Sequence, residues 1–160
     1  MKVDFFHHSI GKEEKKSLLK VMESKILSTG PVTKKFENNF SKYFNVNYCV
    51  GVSNWTSGGL ILLKAFGIKE GDEIITSPMS FVATSNIIMH AGAKPVFVDI
   101  DYSTGNINID LIESKITKKT KAIFAVHLYG QMCNILLLKK IAKKNKLFLF
   151  EDAAHCIEGK

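Results

Sequence analysis

The stretch "GIKEGDEIITSPMSFVATSNIIMHAGAKPVFVDID", residues 67–101, changes its pattern twice along its length. The apolar runs at 73–77 and 95–100 have the length of buried strands, and segment 80–90 between them has helical spacing. The turn-forming "KEGDE" precedes the first run, and Gly92 stands where a helix would end. A strand, a helix and a second strand in this order predict a βαβ unit with parallel strands.

The same alternation extends on both sides of this unit. Three more strand candidates lie at 48–53, 121–127 and 147–152, and three more helix candidates lie at 57–66, 108–116 and 133–145. The strand candidates are almost continuously apolar, as in sheets that helices cover on both faces. We therefore predict an α/β fold with a mostly parallel sheet and helices on both faces.

The region before the sheet has a different pattern. Apolar residues recur at helical spacing in 12–27 and again in 32–44, where Phe36, Phe40 and Phe44 are four residues apart. We expect an N-terminal helical segment, residues 1–45, followed by an α/β domain over residues 46–160.

Composition excludes several classes of protein. The formal net charge is +7, but all 22 basic residues are lysines, whereas readers of nucleic acid usually rely on arginine. No apolar run approaches the ~18 residues of a membrane helix, and the charged start lacks the apolar core of a signal peptide. We expect a cytoplasmic protein that binds neither nucleic acid nor a membrane, and no metal site.

Candidate binding residues follow the strand candidates, because ligands of such sheets bind beyond the carboxyl ends of the strands. After the first candidate, "SNWTSGGL" (53–60) combines small polar residues, glycines and a helix start, as phosphate sites do. Thr56 and Ser57 would add hydroxyl donors. The structural alternative is a helix N-cap by Ser53 or Thr56.

Two further candidates are an aromatic residue and a carboxylate. Phe81 could stack on a flat ligand ring or pack in the core. Asp152, at the tip of an apolar strand, would require a cationic partner such as a protonated ring nitrogen if it were buried and charged. It could instead cap a helix in "AAHCIE".

The remaining strand ends favour structural roles. Asp99 and Asp101 could bind a metal or a ribose, but "DIDYSTG" is more typical of a hydrogen-bonded turn. His127 and Tyr129 could face a ligand, although a single histidine at a strand end is more often hydrogen-bonded within the fold.

Several of these stretches, in this order and spacing, resemble one family. They are "TGPVTKKFENNFSKYF" (29–44), residues 67–101, "ITKKTKAIFAVHLYGQMCN" (116–134) and "EDAAH" (151–155). They are similar to the DegT/DnrJ/EryC1/StrS family of pyridoxal-phosphate-dependent aminotransferases that act on nucleotide-linked keto-sugars. The resemblance implies the large domain of fold type I, incomplete at its C-terminal end, with the small domain absent.

The resemblance also implies a cofactor site for pyridoxal 5'-phosphate. Asp152 would pair with the pyridine nitrogen, Phe81 would stack on the ring, and His155 would approach the ring hydroxyl. Thr56 and Ser57, with the backbone near Trp55, would hold the phosphate. The family usually has a small residue where Trp55 stands, so this chain departs from the pattern there.

The resemblance implies further parts that this chain does not contain. The family's Schiff-base lysine follows a serine-containing stretch beyond "EDAAH", and Lys160 is too close to Asp152 to take its role, so we assign no catalytic residue. The implied reaction moves an amino group from glutamate to a nucleotide sugar in a homodimer, for polysaccharide or glycan synthesis, and the fragment alone would be inactive. The alternatives are a sugar dehydratase of the same family, in which histidine replaces the lysine, and a non-catalytic cofactor-binding fragment.

Overall fold

The computed structural model describes residues 7–159, which divide into two compact units, residues 7–51 and residues 52–159. The predicted boundary after residue 45 falls somewhat earlier in the chain, and Lys160 lies outside the described residues. No helix among the described residues is long and apolar enough to cross a membrane.

The first unit contains two helices, as predicted. Helix α1 spans Lys12–Met22 and α2 spans Pro31–Tyr43, with Pro31 at the first helical position, where its missing N–H costs nothing. The rings of Phe36 and Phe40 are 5.7 Å apart and those of Phe40 and Phe44 are 4.6 Å apart, which confirms the aromatic stripe.

The second unit is a four-stranded sheet with three α-helices. Its elements in chain order are α3 Trp55–Ala65, β1 Glu73–Thr76, α4 Ala83–His90, β2 Lys94–Phe97, β3 Thr120–Val126, α5 Ile135–Asn145 and β4 Phe148–Asp152. The strand order is β2-β1-β3-β4, and all three pairings are parallel, which confirms the predicted sheet.

Helices cover both faces of this sheet. On one face, residues of α3 and α4 pack against Ile74 and Phe124; on the other, residues of α5 pack against Ile75 and Ile123. Consecutive strand residues therefore enter opposite cores, which is why these strands are continuously apolar in sequence.

The predicted strand at 48–53 is wrong. Within residues 7–159 this segment pairs with no strand, and the side chains of Tyr48 and Val50 are 88% and 75% exposed. A β-branched, aromatic sequence favours a strand only where a neighbouring strand accepts its hydrogen bonds and side chains.

The predicted helix at 108–116 is also wrong. The segment forms two short 3₁₀ turns, Ile109–Leu111 and Glu113–Lys115. The apolar residues Ile109 and Ile112 are three apart, a spacing that a 3₁₀ turn serves as well as an α-helix does. The turns still bury Ile112 completely.

The strand order reverses direction between β1 and β3. Helix α4 leads from β1 outward to β2, whereas the chain after β2 returns to β3 and α5 leads on to β4. Crevices at such reversals, outside the carboxyl ends of the strands, are the preferred ligand sites of open parallel sheets.

Candidate functional site

A cavity of about 260 Å³ lies at the carboxyl ends of the strands. It brings together five of the six residues predicted to bind the cofactor. Its lining residues are Asn54, Trp55, Thr56, Ser80, Phe81, Val126, His127, Leu128, Asp152, Ala154 and His155. The chain thus joins the start of α3, the loop before α4 and the ends of β3 and β4 around one space.

Asp152 is the buried charge of this cavity. Only 6% of the residue is exposed, and burial raises the pKa of its carboxyl. Its Oδ1 accepts a hydrogen bond from the Ala154 N–H at 3.1 Å, and its Oδ2 accepts one from the Thr84 hydroxyl at 3.4 Å. The alternative role of Asp152 as a helix cap is wrong, because residues 153–159 form turns and no helix.

The beginning of α3 forms a second wall. Its N-cap is Asn54, whose Oδ1 accepts from the Ser57 N–H at 2.8 Å, so the predicted caps Ser53 and Thr56 are wrong. This bond takes up the Ser57 amide, and Ser57 is the predicted residue that does not line the cavity. The N–H groups of Trp55 and Thr56, at the first helical positions, have no partner within the helix.

The indole of Trp55 has a structural role besides its place in the lining. It packs against the core, with its ring 5.8 Å from that of Phe124. A large side chain at this position is therefore compatible with the loop, because the ring packs against the core that α3 covers.

The two ring-bearing candidates differ in their surroundings. Phe81 is 74% exposed, so the predicted alternative of core packing is wrong. The His155 imidazole is stacked on the Tyr129 ring at a centroid distance of 5.9 Å, with 11° between the planes. Tyr129 has a positive φ of 52°, which is uncommon for a residue with a side chain.

His127 lines the cavity and is also held within the fold. Its Nδ1 accepts from the Cys133 N–H at 3.2 Å, and its Nε2 lies 3.1 Å from Oε2 of Glu151. Nε2 carries the proton that is directed at Glu151. That hydrogen bond lowers the pKa of Glu151, the opposite of the shift at its neighbour Asp152.

Sequence reasoning missed three polar contributors: Asn54, Ser80 and Thr84. Ser80 does not cap α4, which begins at Ala83; its hydroxyl lies 2.8 Å from that of Thr84. Ser80 precedes the helix and Thr84 lies within it, so their contact depends on the loop before α4 and helical periodicity does not predict it.

The interpretation of "DIDYSTG" as a hydrogen-bonded turn is confirmed, since Oδ1 of Asp101 accepts a hydrogen bond from the Ser103 N–H at 2.8 Å. Among residues 7–159, no group of three or more histidine, cysteine or acidic side chains is arranged to hold a metal ion.

A larger cavity, of about 610 Å³, lies beside the start of α5 and includes none of the six residues predicted to bind the cofactor. Its asparagines are engaged in the fold: Asn106 donates to the Gln131 carbonyl at 3.0 Å, and Asn134 caps α5 by accepting from the Leu137 N–H at 3.1 Å. The structure explains these polar groups without a ligand.

Comparison with known proteins finds relatives that include a polysaccharide biosynthesis protein and a GDP-perosamine synthase. The chain is 43% identical over 148 residues to the spore coat polysaccharide biosynthesis protein SpsC of Bacillus subtilis, covering 92% of this chain and 38% of that protein. It is 39% identical over 159 residues to GDP-perosamine synthase of Escherichia coli O157:H7, covering 99% and 44%. The chain therefore spans about two fifths of the length of the curated relatives it matches.

The fold comparison agrees with these relatives. The crystal structure of NtdA from Bacillus subtilis with bound cofactor PMP matches with a TM-score of 0.86 at 35% identity, covering 94% of this chain and 35% of that one. The structure thus has the fold of part of the pyridoxal-phosphate-dependent aminotransferases, which confirms the predicted fold class and the family's cofactor. The model of the DegT/DnrJ/EryC1/StrS aminotransferase family matches residues 8–160, and the chain belongs to this family.

Proposed function

We propose that this chain is the cofactor-binding part of a pyridoxal-phosphate-dependent aminotransferase that transfers an amino group from glutamate to a nucleotide-linked keto-sugar. One observation carries the proposal: the buried carboxylate of Asp152 shares a cavity with the start of α3 and with Phe81. A cation, an anion and a flat ring are the ligands that these three features favour, and the cofactor contains all three groups.

Each part of the cavity has a physical reason to bind one part of the cofactor. The free N–H groups at the start of α3 and the Thr56 hydroxyl favour a phosphate. Asp152 lacks a cationic partner among the described residues, and a protonated pyridine nitrogen would supply one. Phe81 offers its exposed ring for stacking, and His155 would hold the ring hydroxyl. When bound, the cofactor supplies an electron sink for the substrate's reacting carbon.

This chain's own residues would keep that ring nitrogen charged. A carboxylate stabilises a nearby proton most strongly where water is excluded, and Asp152 is almost fully buried. Asp152 therefore serves to hold a proton on the nitrogen, whereas His127 is already engaged with Glu151 and Cys133.

The substrates, the assembly and the location are part of the proposal. The family and relatives such as GDP-perosamine synthase and the pseudoaminic-acid aminotransferase PseC of Helicobacter pylori support a sugar substrate. We infer a homodimer that acts in the cytoplasm. The 160-residue chain alone would bind the cofactor without turnover, because the lysine that bonds the cofactor covalently is not assigned within it.

The test uses the protein as its gene encodes it. The purified protein is mixed with pyridoxal phosphate, and its absorbance is recorded before and after glutamate is added. We expect a protein-bound cofactor band that shifts with glutamate and recovers with a keto nucleotide sugar. Absence of any band, or a band that glutamate leaves unchanged, would refute the aminotransferase.

A further inference from the structure

We propose that Ser80 and Thr84 form a hydroxyl chain that orients the carboxylate of Asp152 and favours its charged form. The chain consists of two contacts: Ser80 Oγ lies 2.8 Å from Thr84 Oγ1, and Thr84 Oγ1 donates to Asp152 Oδ2 at 3.4 Å. Thr84 is thus a positioning residue, acting on the cofactor through Asp152. This role rests on the proposed cofactor site.

The direction of the chain follows from donor counting. A charged carboxylate only accepts, so Thr84 must use its single hydroxyl hydrogen toward Asp152. Ser80 then donates to Thr84, which completes a chain running from the cavity wall to the carboxylate. If Asp152 were protonated on Oδ2, it would donate to Thr84 and the chain would run the other way, toward Ser80.

The hydroxyl chain matters because burial disfavours the charged form of Asp152. Burial raises the pKa of this carboxyl; the Ala154 amide, the Thr84 hydroxyl, His155 and His127 all oppose that effect. Ala154 and His155 follow Asp152 in the same turn, and His127 ends the neighbouring strand. Thr84 is the contributor from α4, and it is only 1% exposed, so its hydrogen bond forms away from competing water.

Thr84 and the turn after Asp152 contact different oxygens of the carboxylate: Thr84 donates to Oδ2. The Ala154 N–H binds Oδ1, which fixes one end of the carboxylate. A second donor at Oδ2 prevents rotation of the group about its bond to Cβ. With one donor on each oxygen, a protonated ring nitrogen in the cavity would meet a carboxylate that is already oriented.

The first experiment needs no cofactor. The Asp152 carboxyl is titrated by carbon-13 NMR in the 160-residue chain and in Thr84→Val, which keeps the shape and removes the hydroxyl. We expect the pKa of Asp152 to be higher in Thr84→Val than in the wild type and unchanged in Thr84→Ser. Ser80→Ala should raise it less, because only the polarisation of the Thr84 hydroxyl is lost.

A matched control separates this role from a general effect of losing a buried hydroxyl. Thr76 is fully buried, and its hydroxyl donates to the Phe124 carbonyl at 3.0 Å, without contact to Asp152. Thr76→Val should leave the pKa of Asp152 where it is. An equal shift in both valine variants, or none in Thr84→Val, would overturn the proposal; if Thr84→Val does not fold, Ser80→Ala decides it by the same criterion.

A second experiment connects the chain to the cofactor. Binding of pyridoxamine phosphate is measured by equilibrium dialysis as a function of pH for the wild type, Thr84→Val and Thr84→Ser. We expect the loss of binding at acid pH to begin at a higher pH in Thr84→Val alone. If no variant binds pyridoxamine phosphate, the proposed function fails, whereas an unchanged NMR titration refutes only the hydroxyl chain.

Discussion

Two of the cavities within residues 52–159 differ in size and, more importantly, in what their polar groups do. The larger one, of about 610 Å³, is lined by turns and by the start of α5, whose side chains hydrogen-bond to neighbouring backbone. The smaller one, of about 260 Å³, holds a buried carboxylate with one hydrogen bond of 3.1 Å and one of 3.4 Å.

This difference shows that an unfilled electrostatic requirement identifies a binding site better than volume does. A turn residue that bonds its own backbone has lowered its free energy already and gains little from a ligand. A buried carboxylate without a cation has not lowered its free energy in this way. Binding of a positively charged ligand therefore stabilises it strongly. The following experiments test whether the two cavities behave in this way.

The largest expected effect is on cofactor binding. Asp152→Asn keeps the shape of the side chain but removes its charge, and we expect affinity for pyridoxamine phosphate to fall about 100-fold, as for the loss of one partner of a buried charge pair. Equilibrium dialysis of the 160-residue chain measures the affinity.

The matched control for Asp152→Asn is Asp110→Asn, which removes a carboxylate from the lining of the larger cavity. It should leave the affinity unchanged. Equal losses in the two variants would show that net charge, and not the position of Asp152, governs binding.

The next effect is on stability and concerns the helix under the smaller cavity. A Cβ at Gly59 of α3 would lie 2.5 Å from Cδ1 of Ile87, which is fully buried, so any shift of this methyl group disturbs the core around it. We expect Gly59→Ala to lower the free energy of unfolding by about 2 kcal/mol, the usual cost of overpacking a core. Urea unfolding measures it.

Gly58 is the control in the same helix. A Cβ there would lie 3.1 Å from Cγ2 of Val52, an exposed side chain that can shift. Gly58→Ala should be neutral or stabilising by up to about 1 kcal/mol, because alanine is the better helix former. A larger loss at Gly58 than at Gly59 would contradict the assigned packing between α3 and α4.

The sequence predicted most of the fold because the strands are buried on both faces. The centres of segments 73–77 and 121–127 are continuously apolar, and the alternation of strands and helices along the chain predicted the parallel sheet. Segment 48–53 is also rich in β-branched and aromatic residues, but within residues 7–159 it pairs with no strand, and local sequence does not reveal whether a partner is available.

The candidate site was predictable in part for a related reason. Positions after strand ends can be found by counting along the chain, which is how Phe81 and Asp152 were identified. The N-cap Asn54 and the contact from Thr84 to Asp152 depend on exact helix starts and on residues 68 positions apart. Helix starts are uncertain by a residue or two, and long-range pairs are invisible to periodicity.

A smaller effect compares the helix caps of the two cavities. Asn54 and Asn134 each accept one amide hydrogen bond at the start of a helix, at 2.8 and 3.1 Å. Alanine at either position should lower the free energy of unfolding by about 1 kcal/mol. We expect only Asn54→Ala to weaken binding of pyridoxamine phosphate as well, and equal binding in both variants would argue against the start of α3 as the phosphate site.

The smallest effect is on the pH dependence of stability and contrasts one carboxylate from each cavity. Burial raises the pKa of Asp152, whereas the Ser103 hydroxyl and amide lower that of Asp101. As pH rises from about 3 to 6, the unfolded chain releases the Asp152 proton first, so this residue makes the fold less stable. Asp101 does the reverse, because its folded form releases the proton first.

Urea unfolding across this pH range, in the wild type, Asp152→Asn and Asp101→Asn, separates the two contributions. We expect the stability of Asp152→Asn relative to the wild type to increase with pH, by about 1 kcal/mol or less, and that of Asp101→Asn to decrease. The variant that loses the cofactor would then be the more stable apoprotein at neutral pH. Parallel curves for the two variants would mean that Asp152 is not electrostatically destabilised, and the argument that its charge requires a ligand would fail.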